Sequence, residues 1–112
     1  MFVRVLRVFF RDETSKRMVI SFTDSEFDRV RFEKFGCIQK FWIDVSTNLA
    51  LMILLFKSET DFNSYKKSLA DDFINSMQSN GNKVEISDGK LRDLSTVEGI
   101  EALFKNNGKQ FN

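Results

Sequence analysis

Few side chains in this chain could carry chemistry, and three stand out by type and position. Tyr65 can donate a hydrogen bond or carry a proton through its phenol, and Trp42, the only tryptophan, can stack on a planar ligand. Arg4 lies in an apolar stretch, where a buried guanidinium needs a carboxylate or an anionic ligand. Structural roles are the alternatives: inward packing for Tyr65, a core or dimer-interface anchor for Trp42, and an ion pair with Asp44 or Glu85 for Arg4.

The composition excludes several other chemistries. The 112 residues contain no histidine, so a serine-histidine-aspartate triad, a histidine-activated cysteine and histidine ligation of zinc or iron cannot occur. Cys37 is the only cysteine and lies in a hydrophobic run, so we expect a small buried residue and no disulfide within the chain. The acidic pairs at 12–13 and 71–72 are expected to be solvated charges. We therefore expect no metal site and no cofactor.

Charge and hydropathy limit the partners. The 17 basic and 16 acidic side chains give a net charge of +1, which argues against a nucleic-acid ligand because phosphate contacts need an excess of Lys and Arg. The longest uncharged apolar run, from Leu49 to Phe56, is far shorter than the ~20 residues of a membrane helix. Two arginines interrupt the apolar start, unlike a secretory signal. We expect a cytoplasmic protein that does not bind membranes.

The first third of the chain predicts a strand and a helix. A strand over 2–10 is rich in Val and Phe, and a polar, turn-like segment over 11–17 follows it. Residues 18–22 fit a short strand and a helical turn equally well. A capping pattern predicts a helix from Asp24 to Phe35 that ends at Gly36. Its inward-facing positions are expected to be Phe27, Val30 or Arg31, and Phe35.

Two strands follow, and the second has no polar side. Residues 37–45 alternate in hydropathy, residues 46–48 form a turn, and residues 49–56 are apolar throughout. A strand that is apolar on both faces is central in its sheet and covered on both sides.

The remaining elements begin with the best-marked helix. Ser58 to Asp61 is a capping pattern, and Asn80-Gly81 ends the helix. Its predicted inward stripe is Phe62, Tyr65, Leu69, Phe73 and Met77. The sequence then predicts a strand over 83–87, a tight turn at Asp88-Gly89, a short strand or extended arm over 90–94 and a closing helix over 97–104.

The order of elements is β-α-β-β-α-β, which predicts one ferredoxin-like α+β domain over residues 1–112, with a C-terminal arm and helix at about 88–107. Such a fold packs both helices on one face of an antiparallel sheet and leaves the other face open. Here the open face is apolar, and burial of each large apolar side chain contributes about 1.5–3 kcal/mol. A second copy of the sheet is the simplest cover, so we expect a homodimer.

The segment from Gly36 to Tyr65 resembles the dimeric α+β barrel superfamily, and within it the antibiotic-biosynthesis-monooxygenase-like domains. The likeness lies in Gly36-Cys37-Ile38, in Phe41-Trp42-Ile43-Asp44, in the apolar strand that ends at Phe56, and in residues 57–65. Many family members carry a tryptophan at the position of Phe56 and a serine at that of Ser58, so this chain keeps the aromatic character and the serine. Tyr65 stands where many of them have a histidine, so the haem-degrading branch of the family is not implied.

The resemblance implies a pocket between the sheet and the helices, near the first strand, the end of the third strand and the second helix. It implies a small dimeric protein that binds a compact apolar or aromatic metabolite, with Arg4, Trp42, Phe56 and Tyr65 as ligand-binding residues. It also implies a cofactor-independent monooxygenase activity, in which the substrate itself reacts with oxygen.

Two other functions stay open at this point. A non-catalytic dimeric scaffold that binds a protein partner needs no pocket. An RNA-recognition domain shares the element order, but it displays basic and aromatic residues on its sheet, whereas residues 49–56 carry no charge and one aromatic ring.

Overall fold

The computed structural model describes residues 1–92, apart from the side chains of residues 26, 27, 69 and 70. Its elements are β1 (Phe2–Phe9), α1 (Glu13–Thr23), α2 (Glu26–Lys34), β2 (Cys37–Ser46), β3 (Leu49–Phe56), α3 (Glu59–Tyr65), a π-helical turn (Lys66–Ala70), α4 (Asp71–Ser79) and β4 (Lys83–Lys90). The strands form one antiparallel sheet in the order β2-β3-β1-β4. This is the predicted ferredoxin-like α+β arrangement. The predicted inward positions Phe27 and Leu69 and the predicted helix at 97–104 lie outside what is described.

The core lies between the sheet and the helices, and the alternation of β1 shows how it forms. Arg4, Leu6 and Val8 point to the helices and are buried, whereas Val3 and Arg7 point the other way. β3 contributes the matching row of fully buried side chains: Ala50, Met52, Leu54 and Phe56. Because β3 lies between β2 and β1, its position is central, as its uninterrupted apolar sequence predicts.

The other face of the sheet is open and apolar. On β2, the side chains of Phe41, Ile43 and Val45 are 41%, 43% and 52% exposed. Phe41 pairs in register with Ile53, and Ile43 with Leu51, so β3 continues the same apolar surface. We call the residues of β1, β2 and β3 that point this way the open face. The apolar side chains of the open face confirm the prediction that the sheet is apolar on the side away from the helices.

Helix α1 forms where the sequence interpretation expects a turn, so that expectation is wrong. Residues 11–17, expected to form a turn, lie mostly in α1, and residues 18–22 are helical rather than a strand. Asp12 caps the helix because its Oδ1 accepts a hydrogen bond of 2.7 Å from the backbone of Ser15. The inward face of α1 includes Ser15 and Lys16, both 7% exposed. A helix that buries polar residues lacks the apolar period that reveals helices in a sequence.

Helix α2 begins at its capping residue Ser25, whose Oγ accepts from the backbone of Asp28, at 3.2 Å. Its predicted inward positions are partly correct: Phe35 packs against the core as expected. Of the two alternatives, Arg31 is half-buried and Val30 is 52% exposed, and the unpredicted Asp28 and Phe32 are buried. Gly36 ends the helix as predicted, with φ of +76°. A Cβ atom at Gly36 would lie 2.5 Å from a carboxyl atom of Asp61, so only glycine fits there.

The predicted long helix is present as α3, the π-helical turn and α4. Ser58 caps α3 by accepting from the backbone of Asp61, at 3.1 Å, and Phe62 and Tyr65 are buried as expected. The π-helical turn places one extra residue in the helix, so the inward stripe shifts along α4. Ile74 is therefore buried and Phe73 is only half-buried, whereas Met77 is buried as predicted.

Strand β4 is longer than predicted. The expected tight turn at Asp88-Gly89 is wrong, because β4 continues to Lys90 in unbroken register with β1. Asp88 lies opposite Arg4 in that register and binds its guanidinium. Residues 93–107 of the expected C-terminal arm and helix lie outside the described residues.

Within residues 1–92, no helix combines the length and the apolar character that crossing a bilayer requires.

Candidate functional site

A cleft of about 210 Å³ lies between α1 and α2 on one side and α3 and α4 on the other. Four aromatic rings dominate its walls, with polar groups from both helix pairs between them. Its lining residues are Phe22, Thr23, Asp28, Arg31, Phe32, Tyr65, Asp72, Phe73 and Ser76. An aromatic wall with a few polar groups is the usual character of a site for a small organic molecule.

Tyr65 forms part of this wall from the last turn of α3. Its side chain is 1% exposed, and its ring lies 5.4 Å from the ring of Phe32 and 5.1 Å from that of Phe56. Burial raises the pKa of the phenol to about 12, although the charge of Arg4 and a hydrogen bond with it act in the opposite direction. The phenol is therefore protonated at neutral pH and can donate a hydrogen bond.

Asp28 provides the contrasting group, a buried acceptor. It is 5% exposed, and its Oδ2 has no hydrogen-bond partner among residues 1–92. Its Oδ1 lies 3.8 Å from the guanidinium of Arg31. Burial raises the pKa of the carboxyl group, while the charges of Lys40 and Arg31 partly oppose that change. A buried polar atom without a partner costs about 1–3 kcal/mol, so this carboxylate is costly to the fold and is available to a ligand.

Arg4 lies behind Tyr65 and not on the cleft. Its guanidinium is 3% exposed, binds both carboxylate oxygens of Asp88 at 2.8 and 2.9 Å, and lies 5.0 Å from the ring of Phe62. The expected alternative of an ion pair is therefore present, but its partner is neither Asp44 nor Glu85. The strand register places Glu85 beside Arg7 on the open face instead.

Trp42 connects the sheet to α1. Its indole Nε1 donates to the hydroxyl of Thr23 at 2.8 Å, and its ring lies 6.2 Å from that of Phe10. Lys40 on the same strand donates to the backbone carbonyl of Thr23. These two contacts fix Thr23, which lines the cleft, so Trp42 supports the wall without forming it.

Cys37 is buried near the cleft but is not reactive. Burial raises the pKa of its thiol to about 11, so at neutral pH it is almost entirely protonated. The thiol donates to the carbonyl of Gln39 at 3.3 Å. This confirms the expectation of a small buried residue.

Of the four predicted ligand-binding residues, Tyr65 lies on the cleft wall. The ring of Phe56 packs directly against the ring of Tyr65. Arg4 lies one layer deeper, and Trp42 acts through Thr23. The sequence interpretation missed Asp28, because an acidic residue in a helix is normally taken as a solvated one. The spacing of Asp28 and Phe32, four residues apart, is the signal that could have placed both on the inner face.

Comparison with known proteins supports the fold of this chain. No protein-family model matches this chain, and no curated protein sequence does. A dimeric ferredoxin-like protein from an uncultured marine organism matches with a TM-score of 0.65 and 11% sequence identity, over 81% of this chain and 94% of that one. A second dimeric ferredoxin-like protein from an uncultured marine organism matches with a TM-score of 0.64 and 16% identity, over 82% of this chain and 95% of that one.

A monooxygenase from the gene ActVA-Orf6 of Streptomyces coelicolor, solved in complex with the ligand nanaomycin D, is also similar. Its TM-score is 0.57 at 10% identity, over 80% of this chain and 88% of that one. At such low identities the shared property is the fold. This chain therefore has a ferredoxin-like fold, which is the fold that the sequence resemblance implies.

Proposed function

We propose that this ferredoxin-like protein is a homodimer, each subunit of which binds a compact aromatic molecule in the cleft formed by Asp28, Phe32, Tyr65 and Phe73. The observation that carries the proposal is the buried Oδ2 of Asp28, which has no partner within residues 1–92 and belongs to a cleft with aromatic walls.

The open face supports the dimer. Phe41, Ile43 and Val45 are each more than two-fifths exposed, and β3 supplies further apolar side chains between them and β1. A contiguous apolar surface of this kind is unfavourable in water and typical of an interface. Two copies that place their open faces together cover it symmetrically and leave both clefts, on the helix side, free for ligand.

The polar groups of the cleft define the ligand. Tyr65 is a hydrogen-bond donor at neutral pH, and the unpartnered Oδ2 of Asp28 is a hydrogen-bond acceptor. An aromatic ring with a hydroxyl group would pack against Phe32 and Phe73 and donate its proton to Asp28. The volume of about 210 Å³ fits a molecule of two or three fused rings.

Oxygenation of such a molecule is the second candidate function, favoured by the structural likeness to a monooxygenase that was solved with an organic ligand. Asp28 would take the phenolic proton, and the resulting electron-rich ring would react with molecular oxygen. An activated CH₂ group becomes C=O, one oxygen atom enters the product and the other leaves as water. Atoms and electrons then balance without a metal or flavin.

A phenol with a matched ether tests the binding proposal. In calorimetric titrations, 2-naphthol should bind the protein and 2-methoxynaphthalene, which cannot donate a hydrogen bond, should bind at least tenfold more weakly. Asp28→Asn should remove most of this preference. Asp24→Asn is the matched control, because it makes the same change at a side chain that is 63% exposed and outside the cleft. Equal binding of the two ligands, or equal effects of the two variants, would contradict the proposal.

Anthrone, whose enol tautomer carries the phenolic hydroxyl that Asp28 would deprotonate, separates the oxygenase from a simple binding protein. Its CH₂ group would be converted to the second carbonyl of anthraquinone with uptake of one oxygen molecule, measured with an oxygen electrode and by product absorbance. Tyr65→Phe should slow that turnover if the phenol acts on the bound ring. Binding without anthraquinone formation would reject the oxygenase and leave the binding proposal in place.

A further inference from the structure

A second cleft, of about 310 Å³, lies beside the first between α1 and the end of α4. The two clefts share Phe22, Phe73 and Ser76, but the second extends toward the start of α1 and the loop before β4. One wall of the second cleft is apolar, and the end near the start of α1 and the loop before β4 is polar. The lining residues are Arg11, Ser15, Met18, Val19, Phe22, Phe73, Ser76, Met77, Asn80 and Asn82.

The polar end holds a buried donor. Asn82 is 5% exposed, and its Oδ1 accepts from the backbone N–H of Arg11 at 2.9 Å and from the hydroxyl of Ser15 at 3.1 Å. A backbone N–H can only donate, so the atom that faces it must be the oxygen of the amide. The amide Nδ2 is therefore the other atom, and among residues 1–92 it has no hydrogen-bond partner.

The guanidinium group of Arg11 lies at the same polar end of the cleft. Arg11 contacts the carboxylate of Asp12 through Nε, at 3.1 Å, and its side chain packs beside Gly81. Asp12 is itself held in place as the cap of α1, where its Oδ1 accepts from Ser15. Among residues 1–92, the terminal nitrogens of Arg11 make no hydrogen bond or ion pair, and its side chain is 62% exposed. They can therefore turn toward an anion at the mouth of the cleft.

The apolar wall is exposed to an unusual degree. Met18 is 67% exposed and Phe22 is 50% exposed, and both lie on the α1 side of the cleft. Covering such side chains is favourable because it removes apolar surface from water. A ligand for this cleft should therefore have an apolar body as well as a polar head.

We propose that this second cleft binds a carboxylate with an apolar body, such as an aryl or short-chain alkyl carboxylic acid. The carboxylate accepts from Asn82 Nδ2 and pairs with Arg11, and the apolar body covers Met18 and Phe22. This site is distinct from the one at Asp28, where the buried atom without a partner is an acceptor and not a donor. A buried carboxylate would repel the same ligand there.

Titration calorimetry with 2-naphthoate tests the proposal. The wild-type protein should bind 2-naphthoate saturably and should bind methyl 2-naphthoate, which is uncharged and has no N–H or O–H to donate to Asp28, at least fivefold more weakly. Asn82→Asp should weaken 2-naphthoate binding at least tenfold, because the new carboxylate keeps the acceptor for Arg11 and Ser15 but replaces the donor by a negative charge. Asn75→Asp makes the same change on an exposed position of α4 outside the cleft and should change binding less than twofold.

A second variant covers a failure of Asn82→Asp to fold. Arg11→Gln keeps the stem that packs beside Gly81 but removes the cation, and it should weaken 2-naphthoate binding at least threefold while leaving methyl 2-naphthoate binding unchanged. The proposal is overturned if 2-naphthoate does not bind, if it binds no better than methyl 2-naphthoate, or if the variants that fold bind it as the wild type does. The phenol experiment at Asp28 uses an uncharged ligand, so either site can fail independently.

Discussion

Removal of the carboxylate of Asp88 should destabilise the protein strongly, because it leaves the guanidinium of Arg4 buried and unpaired. Arg4 is 3% exposed, whereas the side chain of Asp88 is 24% exposed. Breaking a buried ion pair by removing one partner costs about 3–5 kcal/mol. Since water reaches the Asp88 side, we expect Asp88→Asn to lower the free energy of unfolding by about 3 kcal/mol, at the lower end of that range. At about 4 °C per kcal/mol, Tm should fall by about 12 °C.

The assay is urea unfolding followed by the fluorescence of Trp42, at one fixed protein concentration because association adds to apparent stability. The matched control is Glu33→Gln, which makes the same type of change in the exposed ion pair of α2 with Arg29, where both side chains are more than half exposed. A surface pair of this kind contributes about 0.3–0.5 kcal/mol. The double variant Arg4→Met/Asp88→Leu should recover at least about 1 kcal/mol relative to Asp88→Asn, because it removes both charges.

The reasoning is refuted if Asp88→Asn and Glu33→Gln lower the free energy of unfolding by amounts within about 1 kcal/mol of each other, the scale of a single surface pair. Such a result would mean that the Arg4 guanidinium is hydrated in solution and that β4 does not hold it in the sheet.

Two further predictions concern titratable groups near the cleft. Asp28→Asn should raise the free energy of unfolding at pH 7 by about 1 kcal/mol, because burial raises the pKa of this carboxyl and its charged form is therefore costly in the folded state. That gain should shrink as the pH falls through the raised pKa, where the wild-type group is neutral too; a gain that is constant with pH in urea titrations would contradict it. Cys37 should react with iodoacetamide at pH 8 far more slowly in the folded protein than in urea, since its pKa is about 11, and mass spectrometry showing equal rates would contradict its burial.

The sequence predicts the sheet and its open face well, because strands and caps depend on short-range patterns. The alternation of β2, the uninterrupted apolar run of β3, the cap at Ser58 and the left-handed residue Gly36 are all present in the structure. Each depends on neighbours within a few residues, and this is the range that hydropathy and capping patterns report.

The site depends on longer-range geometry, which the sequence did not reveal. α1 was missed because it buries Ser15 and Lys16, and Asp28 was missed because a buried carboxylate has the same sequence appearance as a solvated one. The partner of Arg4 depends on the register of β1 and β4, which places Asp88 opposite it. Because the sequence interpretation expects a turn at Asp88-Gly89, it does not predict this pair. Contacts of this kind follow from how elements assemble and not from local pattern.

Sedimentation of the wild-type protein and two variants tests most directly whether a second copy covers the open face. The wild type should sediment at micromolar concentration with twice the mass of one chain. Ile43→Glu, on the open face, should sediment as a folded single chain, whereas Val30→Glu, at a comparably exposed position on α2, should remain dimeric. A wild-type protein that sediments as a single chain, or an Ile43→Glu variant that still forms the dimer, would contradict the account.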